Sequence, residues 1–146
     1  MSWKQRLAYI TCTIAFVGSL MAYKRQVTAH PLSLVQRHWE AIASQDSKQV
    51  TQLYHNDAIL KRSQLHVNEV YKQEAIDLAW RKFFLQYDIE SFEVINQTWR
   101  DRTIDAELEI LTRSSQGASI PLSVSYQVQF DSNGKIRHEV WQINSQ

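Results

Sequence analysis

Apolar residues recur along this chain with two periods, a helical one in its first part and an alternating one in its second. Val35, Trp39 and Ile42 stand at i, i+4 and i+7, the stripe of an amphipathic helix covering a core. Gln45-Asp46-Ser47 interrupts it, and Asp46 or Ser47 is placed to cap a second helix carrying Val50, Leu53 and Tyr54. His55-Asn56-Asp57 then turns the chain into a short strand at Ala58-Ile59-Leu60. Ile76, Trp80, Phe83 and Tyr87 form the stripe of a third helix, with Asp77, Arg81, Lys82 and Gln86 on its other face. The stretch 63–70 is polar and poorly patterned, and reads as a loop or a short irregular strand.

After Asp88 the period becomes two. Ile104, Ala106, Leu108 and Ile110 alternate with Asp105, Glu107 and Glu109, a half-buried strand with a solvated acidic face. Ile120, Leu122, Val124, Tyr126, Val128 and Phe130 alternate with small or amide side chains, and residues 135–144 return as a final strand after the Asp131-Ser132-Asn133-Gly134 turn. Ser114-Ser115-Gln116-Gly117 marks an earlier turn, and 92–100 fits a strand with less distinct faces. Helices first and hairpin-linked strands afterwards predict an α+β domain, with helices on one face of a curved antiparallel sheet.

Residues 7–23 carry no formal charge and lie between Lys4/Arg6 and Lys24/Arg25. As a hydrophobic helix they would measure about 25 Å, slightly short of a hydrocarbon core of about 30 Å. An uncleaved membrane anchor competes with a signal peptide and a buried helix. A cut after Ala22 would put Leu20 at −3, a poor signal-peptidase site, so the anchor is preferred. The expected layout is an anchor or signal segment at 1–26, a tether at 27–30 and a domain at 31–146. The expected topology is a single pass through a lipid bilayer with the domain on the non-cytoplasmic side; the alternative is a soluble exported domain after signal cleavage.

Composition narrows the chemistry. Four of the 16 basic residues and none of the 15 acids fall in 1–26, which leaves the remainder with a net charge of −3. A weakly acidic domain without a basic run is a poor nucleic-acid binder. Histidines 30, 38, 55, 66 and 138 show no metal-site spacing, and no cofactor is called for. Cys12 is the single cysteine, and the glycines at 18, 117 and 134 form no phosphate loop.

The order of elements, with VQRHWEAIASQD at 35–46, LYHNDAIL at 53–60, EAIDLAWRKFF at 74–84 and FDSNGKI at 130–136, resembles the nuclear-transport-factor-2-like superfamily. That group includes the SnoaL-like and ketosteroid-isomerase-like proteins, and the similarity spans about residues 31–144. It implies a cone-shaped sheet with about three helices on its concave side, enclosing a pocket. Many members carry a glycine before the third helix, where this chain has Gln73. Laid against the steroid isomerases, the chain has His38 where the hydroxyl donor stands and Arg62 where the aspartate base stands. Arginine stays protonated and cannot abstract a proton.

The implied pocket is His38, Arg62, Tyr54, Trp80, Phe84 and Tyr126, open to a small hydrophobic or anionic ligand or filled as an ordinary core. His38 is the candidate catalytic residue. Gln127, Gln129, Trp141 and Ile143 suggest a sheet-face homodimer. Loss of the base, with the apolar segment, favours a membrane-anchored, non-catalytic ligand-binding or interaction domain. The competing reading is a small-molecule isomerase, dehydratase or hydrolase built around His38 and Arg62, with an acid from the later strands.

Overall fold

The structure, a computed structural model, describes residues 29–144. Pro31, preorganised for a first helical turn, opens α1 (Pro31–Ala43), and Nδ1 of His30 accepts from the Leu32 N–H at 3.1 Å. The helix buries Leu34, Val35, His38, Trp39, Ala41 and Ile42. Asp46 caps the short α2 (Ser47–Gln52) by accepting from the Gln49 N–H at 3.1 Å. The chain then runs through β1 (Tyr54–Gln64), β2 (Val67–Lys72), α3 (Glu74–Gln86), β3 (Tyr87–Arg100), β4 (Thr103–Ser114), β5 (Ser119–Phe130) and β6 (Ile136–Asn144).

Two of these differ from expectation. The residues expected to turn at 55–57 belong to β1, whose pairing with β6 slips between Tyr54 and Ile59. The polar stretch at 63–70 is a hairpin: Leu65 and His66 both adopt positive φ, 48° and 68°, the pair of left-handed residues that a two-residue hairpin loop needs.

The six strands form one sheet in the order β2-β1-β6-β5-β4-β3. The expected cone-shaped antiparallel sheet is corrected on both counts. β1 lies parallel to β6, so the sheet is mixed. It is also open, with β2 and β3 as its edges. The hairpin to β2 takes one edge of β1, and the chain reaches the other edge only at β6, after α3 and the strands β3, β4 and β5.

Residues 7–23 lie outside the described residues, as does the expected hydrophobic helix there. Among the described residues no helix is long and apolar enough to cross a membrane. The single-pass topology, and a lipid bilayer as partner, are therefore not carried further.

The core lies between α1, α3 and the inner face of the sheet. β4 and β5 bury alternate residues from Ile104 to Ile110 and from Leu122 to Phe130. At the start of β6 the pairing slips: Gln129 faces His138 while Phe130 faces Ile136, leaving Arg137 as a bulge. The slip changes the phase of β6, so that Ile136 and then Glu139, Trp141 and Ile143 all point inward. One polar residue on each of β6 and α1 thereby enters the core.

Candidate active site

Those two residues meet. The Glu139 side chain, 0% exposed, receives three donors. Its Oε2 accepts from His38 Nε2 at 2.7 Å and from the Tyr126 hydroxyl at 2.6 Å. Its Oε1 accepts from the Tyr54 hydroxyl. The Tyr54 oxygen in turn accepts from Trp80 Nε1 at 3.0 Å. Four elements thus converge on one carboxylate: α1 through His38, β1 through Tyr54, β5 through Tyr126 and α3 through Trp80.

The walls are aromatic. Trp39 and Trp141 lie 5.6 and 5.1 Å from the Tyr126 ring, and Trp80 lies 5.5 Å from Trp141. Burial in such surroundings pushes the Glu139 carboxyl up. The His38 charge and the hydrogen bonds from His38, Tyr126 and Tyr54 outweigh that, and its pKa ends below the usual glutamate value. Burial, reinforced by the neighbouring Glu139 charge, pushes both Tyr54 and Tyr126 well above 10, so both remain hydroxyl donors. Glu139 is a fixed negative charge with both oxygens occupied. His38 gives its Nε2–H to that charge, and its Nδ1 has no hydrogen-bond partner among the described residues. In the neutral ring this network leaves Nδ1 as the free acceptor.

Trp80 also packs against Arg62, which lines a pocket of about 380 Å³. Arg62, Glu69, Tyr71, Lys82, Phe83, Leu122 and Ile143 are among its lining residues. The Arg62 guanidinium carbon sits 5.3 Å from the Trp80 ring, 5.2 Å from Phe83 and 5.9 Å from Tyr71. A second concavity, of about 410 Å³, is lined by Tyr54 with His55, Asp57, Gln73 and Asp77 among others. The Arg62 pocket reaches the core residues Leu122 and Ile143 and contains a cation packed on aromatic rings.

No family model matches the sequence, and no curated protein matches it significantly. Solved structures do match. An NTF-2-like protein of unknown function from Burkholderia xenovorans superposes with a TM-score of 0.61 at 22% identity, over 80% of this chain and 84% of the other. A ketosteroid isomerase-like protein from Erwinia carotovora gives 0.63 at 11% identity, over 78% and 93%. An LEH-like epoxide hydrolase from M. tuberculosis gives 0.65 at 10% identity, over 78% and 82%. The fold is nuclear-transport-factor-2-like.

Within this nuclear-transport-factor-2-like fold the six expected pocket residues divide. His38, Tyr54 and Tyr126 bind Glu139 directly; Trp80 joins them through Tyr54, and Phe84 packs on Trp80 at 5.6 Å. Arg62 stands apart from the carboxylate and lines the pocket beside Trp80.

The expected dimer face does not exist as one surface. Gln127 and Gln129 are exposed on the outer face, whereas Trp141 and Ile143, 4% and 6% exposed, belong to the core. The reason is register: Tyr126 pairs with Trp141 and Gln127 with Val140, so Trp141 shares the side of Tyr126. The preference for a membrane-anchored, non-catalytic module is likewise corrected. An inward carboxylate lies within hydrogen-bond reach of His38, Trp80 of the same cluster packs on the pocket residue Arg62, and no membrane-crossing helix occurs among the described residues.

Sequence reasoning passed over Glu139 as the centre of the site. The signal was its place in the Glu139, Trp141, Ile143 set of β6. An acid in phase with two large apolar residues is an acid headed for the core.

Proposed function

We propose that this chain is a small-molecule enzyme of the isomerase or hydrolase class, with His38 as its proton-transfer group and Glu139 as the fixed charge that positions it. The buried His38–Glu139 pair, held by two tyrosine hydroxyls, carries this reading. Stability gives little reason to keep such a pair, since apolar replacement of a buried ion pair is often neutral or stabilising. Oriented titratable groups beside a pocket are the usual furniture of active sites. The fold relatives named as a ketosteroid isomerase-like protein and an epoxide hydrolase support the same class.

Both reactions move one proton and develop negative charge on one oxygen. His38 is suited to the first task because one ring nitrogen is held by the Glu139 carboxylate while the other is left without a protein partner among the described residues. Arg62, permanently charged, is suited to the second. The indole of Trp80 touches both groups, with centroid distances of 6.4 Å to His38 and 5.3 Å to Arg62, and is the wall a substrate has to displace.

The test uses the purified full-length chain with two substrate sets, each in neutral and carboxylate-bearing forms: small racemic epoxides, followed by diol formation, and β,γ-unsaturated ketones, followed by absorbance of the conjugated product. Turnover of one set is expected, with Glu139→Gln lowering kcat by about 100-fold or more while the protein stays folded. Glu139 acts through His38, so the variant should also shift the pH profile of kcat. Absence of turnover on both sets, or an unchanged rate and profile in the variant, would sink the proposal.

A further inference from the structure

The Arg62 guanidinium has a well-defined environment and an incomplete one. Tyr71, Trp80 and Phe83 pack against it within 5.2–5.9 Å, which holds the planar cation by cation–π attraction. Ring contacts satisfy the face of a guanidinium; its N–H donors point outward in the plane and need acceptors. Among the described residues none accepts a hydrogen bond from the Arg62 guanidinium, which is packed against those three rings. Glu69, its cross-strand partner on β2, accepts from the Tyr71 hydroxyl instead.

The charge balance of the pocket points the same way. Arg62 and Lys82 line it against the single carboxylate of Glu69, so one positive charge is left over. Phe83, Leu122 and Ile143 supply an apolar wall, and about 380 Å³ lies within the range of small-molecule pockets.

From this we infer that the pocket selects a monoanion with a flat or apolar body, a cyclic or aromatic carboxylate, held edge-on by the Arg62 fork. A planar carboxylate matches two parallel guanidinium donors. A phosphate dianion fits less well, because the lining has one positive charge left over and the second negative charge would go unmatched beside Glu69. This deepens the enzymatic reading by naming its substrate class, and rests on that reading only for the word substrate, since binding is measurable without turnover.

The experiment titrates the full-length chain by calorimetry with 2-naphthoate, its neutral isostere 2-naphthamide, and 2-naphthyl phosphate. The carboxylate is expected to bind about 10- to 100-fold more tightly than the amide, the range of a charged hydrogen-bonded contact, and more tightly than the phosphate. Arg62→Met keeps an apolar stem on the rings and should abolish the carboxylate-over-amide preference. Arg62→Lys, a point charge without the fork, should retain part of it. Equal binding of carboxylate and amide to the unaltered chain overturns the inference and needs no variant to fold. So does an Arg62→Met protein that keeps the preference. Carboxylate binding without turnover would break the enzymatic reading and leave this one standing; turnover of neutral substrates without carboxylate binding would do the reverse.

Discussion

Replacing Glu139 with leucine removes the one acceptor shared by His38 Nε2, the Tyr126 hydroxyl and the Tyr54 hydroxyl. Two of them are sealed from water, His38 at 1% and Tyr126 at 3% exposed, and Tyr54 is partly buried. Each buried donor left without a partner costs about 1–3 kcal/mol. The total expected for Glu139→Leu is about 3–5 kcal/mol, the size found when one member of a buried pair is removed. A domain of this size has about 5–15 kcal/mol in all. His38→Leu alone strands a buried carboxylate with two hydroxyl donors and no countercharge, and should cost a similar amount. The double variant removes both charges, so its loss should fall short of the sum by about 2 kcal/mol or more. Urea unfolding followed by tryptophan fluorescence, with slopes compared across the four proteins, measures this cycle. Losses that add within about 0.5 kcal/mol, or a Glu139→Leu loss below about 1 kcal/mol, would show that the two side chains are not an energetically coupled pair.

Three further outcomes follow from the same geometry. The Glu139 pKa is below its ordinary value of 4.5 in the folded chain, so the unfolded chain takes up the proton first on acidification; its contribution is intact above about pH 4.5 and lost as pH falls through the lower folded value. Urea midpoints measured from pH 7 downward should therefore drop more steeply below pH 4.5 for the unaltered protein than for Glu139→Gln. Gln73 precedes α3 at φ 52° and ψ −128°, with no side-chain capping bond, in a region that only glycine enters without strain. Gln73→Gly should stabilise by about 1 kcal/mol after the greater freedom of the unfolded glycine is subtracted, and a lower thermal midpoint would refute this. Asp46→Ala removes the cap on the Gln49 N–H and should cost about 1 kcal/mol in the same unfolding assay.

The parts of the fold legible in the sequence are those in which one face is buried. α1 and α3 announce themselves because Trp39 and Trp80 sit in stripes that only a helix aligns, and β4 and β5 because their inner residues alternate without a break. β2 lacks that signature: Val67 and Val70 are both exposed on an edge strand, so burial imposes no alternation there. Its hairpin is also hidden, because Leu65 and His66 occupy positions where asparagine and glycine are the usual signal. β3 is exposed at nearly every position, which explains its indistinct faces. The parallel pairing of β1 with β6 leaves no local mark, because hydrophobic period reports which face is buried and says nothing of the neighbour.

Alternation on β6 separates Glu139, Trp141 and Ile143 from His138, Val140 and Gln142, but does not say which set faces the helices. That choice is made by the β5–β6 register and by the bulge at Arg137, both properties of a strand pair. With the first set turned inward, a carboxylate is committed to the core, where it is tolerable only with donors on both oxygens. Few side chains on the surrounding elements can supply them. His38 is the only polar residue that α1 buries, and Tyr126 stands one position along the inner face, opposite Trp141. His38, read from the sequence as the loss of a hydroxyl donor, is in the structure one of three donors to the Glu139 carboxylate of β6, while Arg62 of β1 lines the pocket and packs on Trp80.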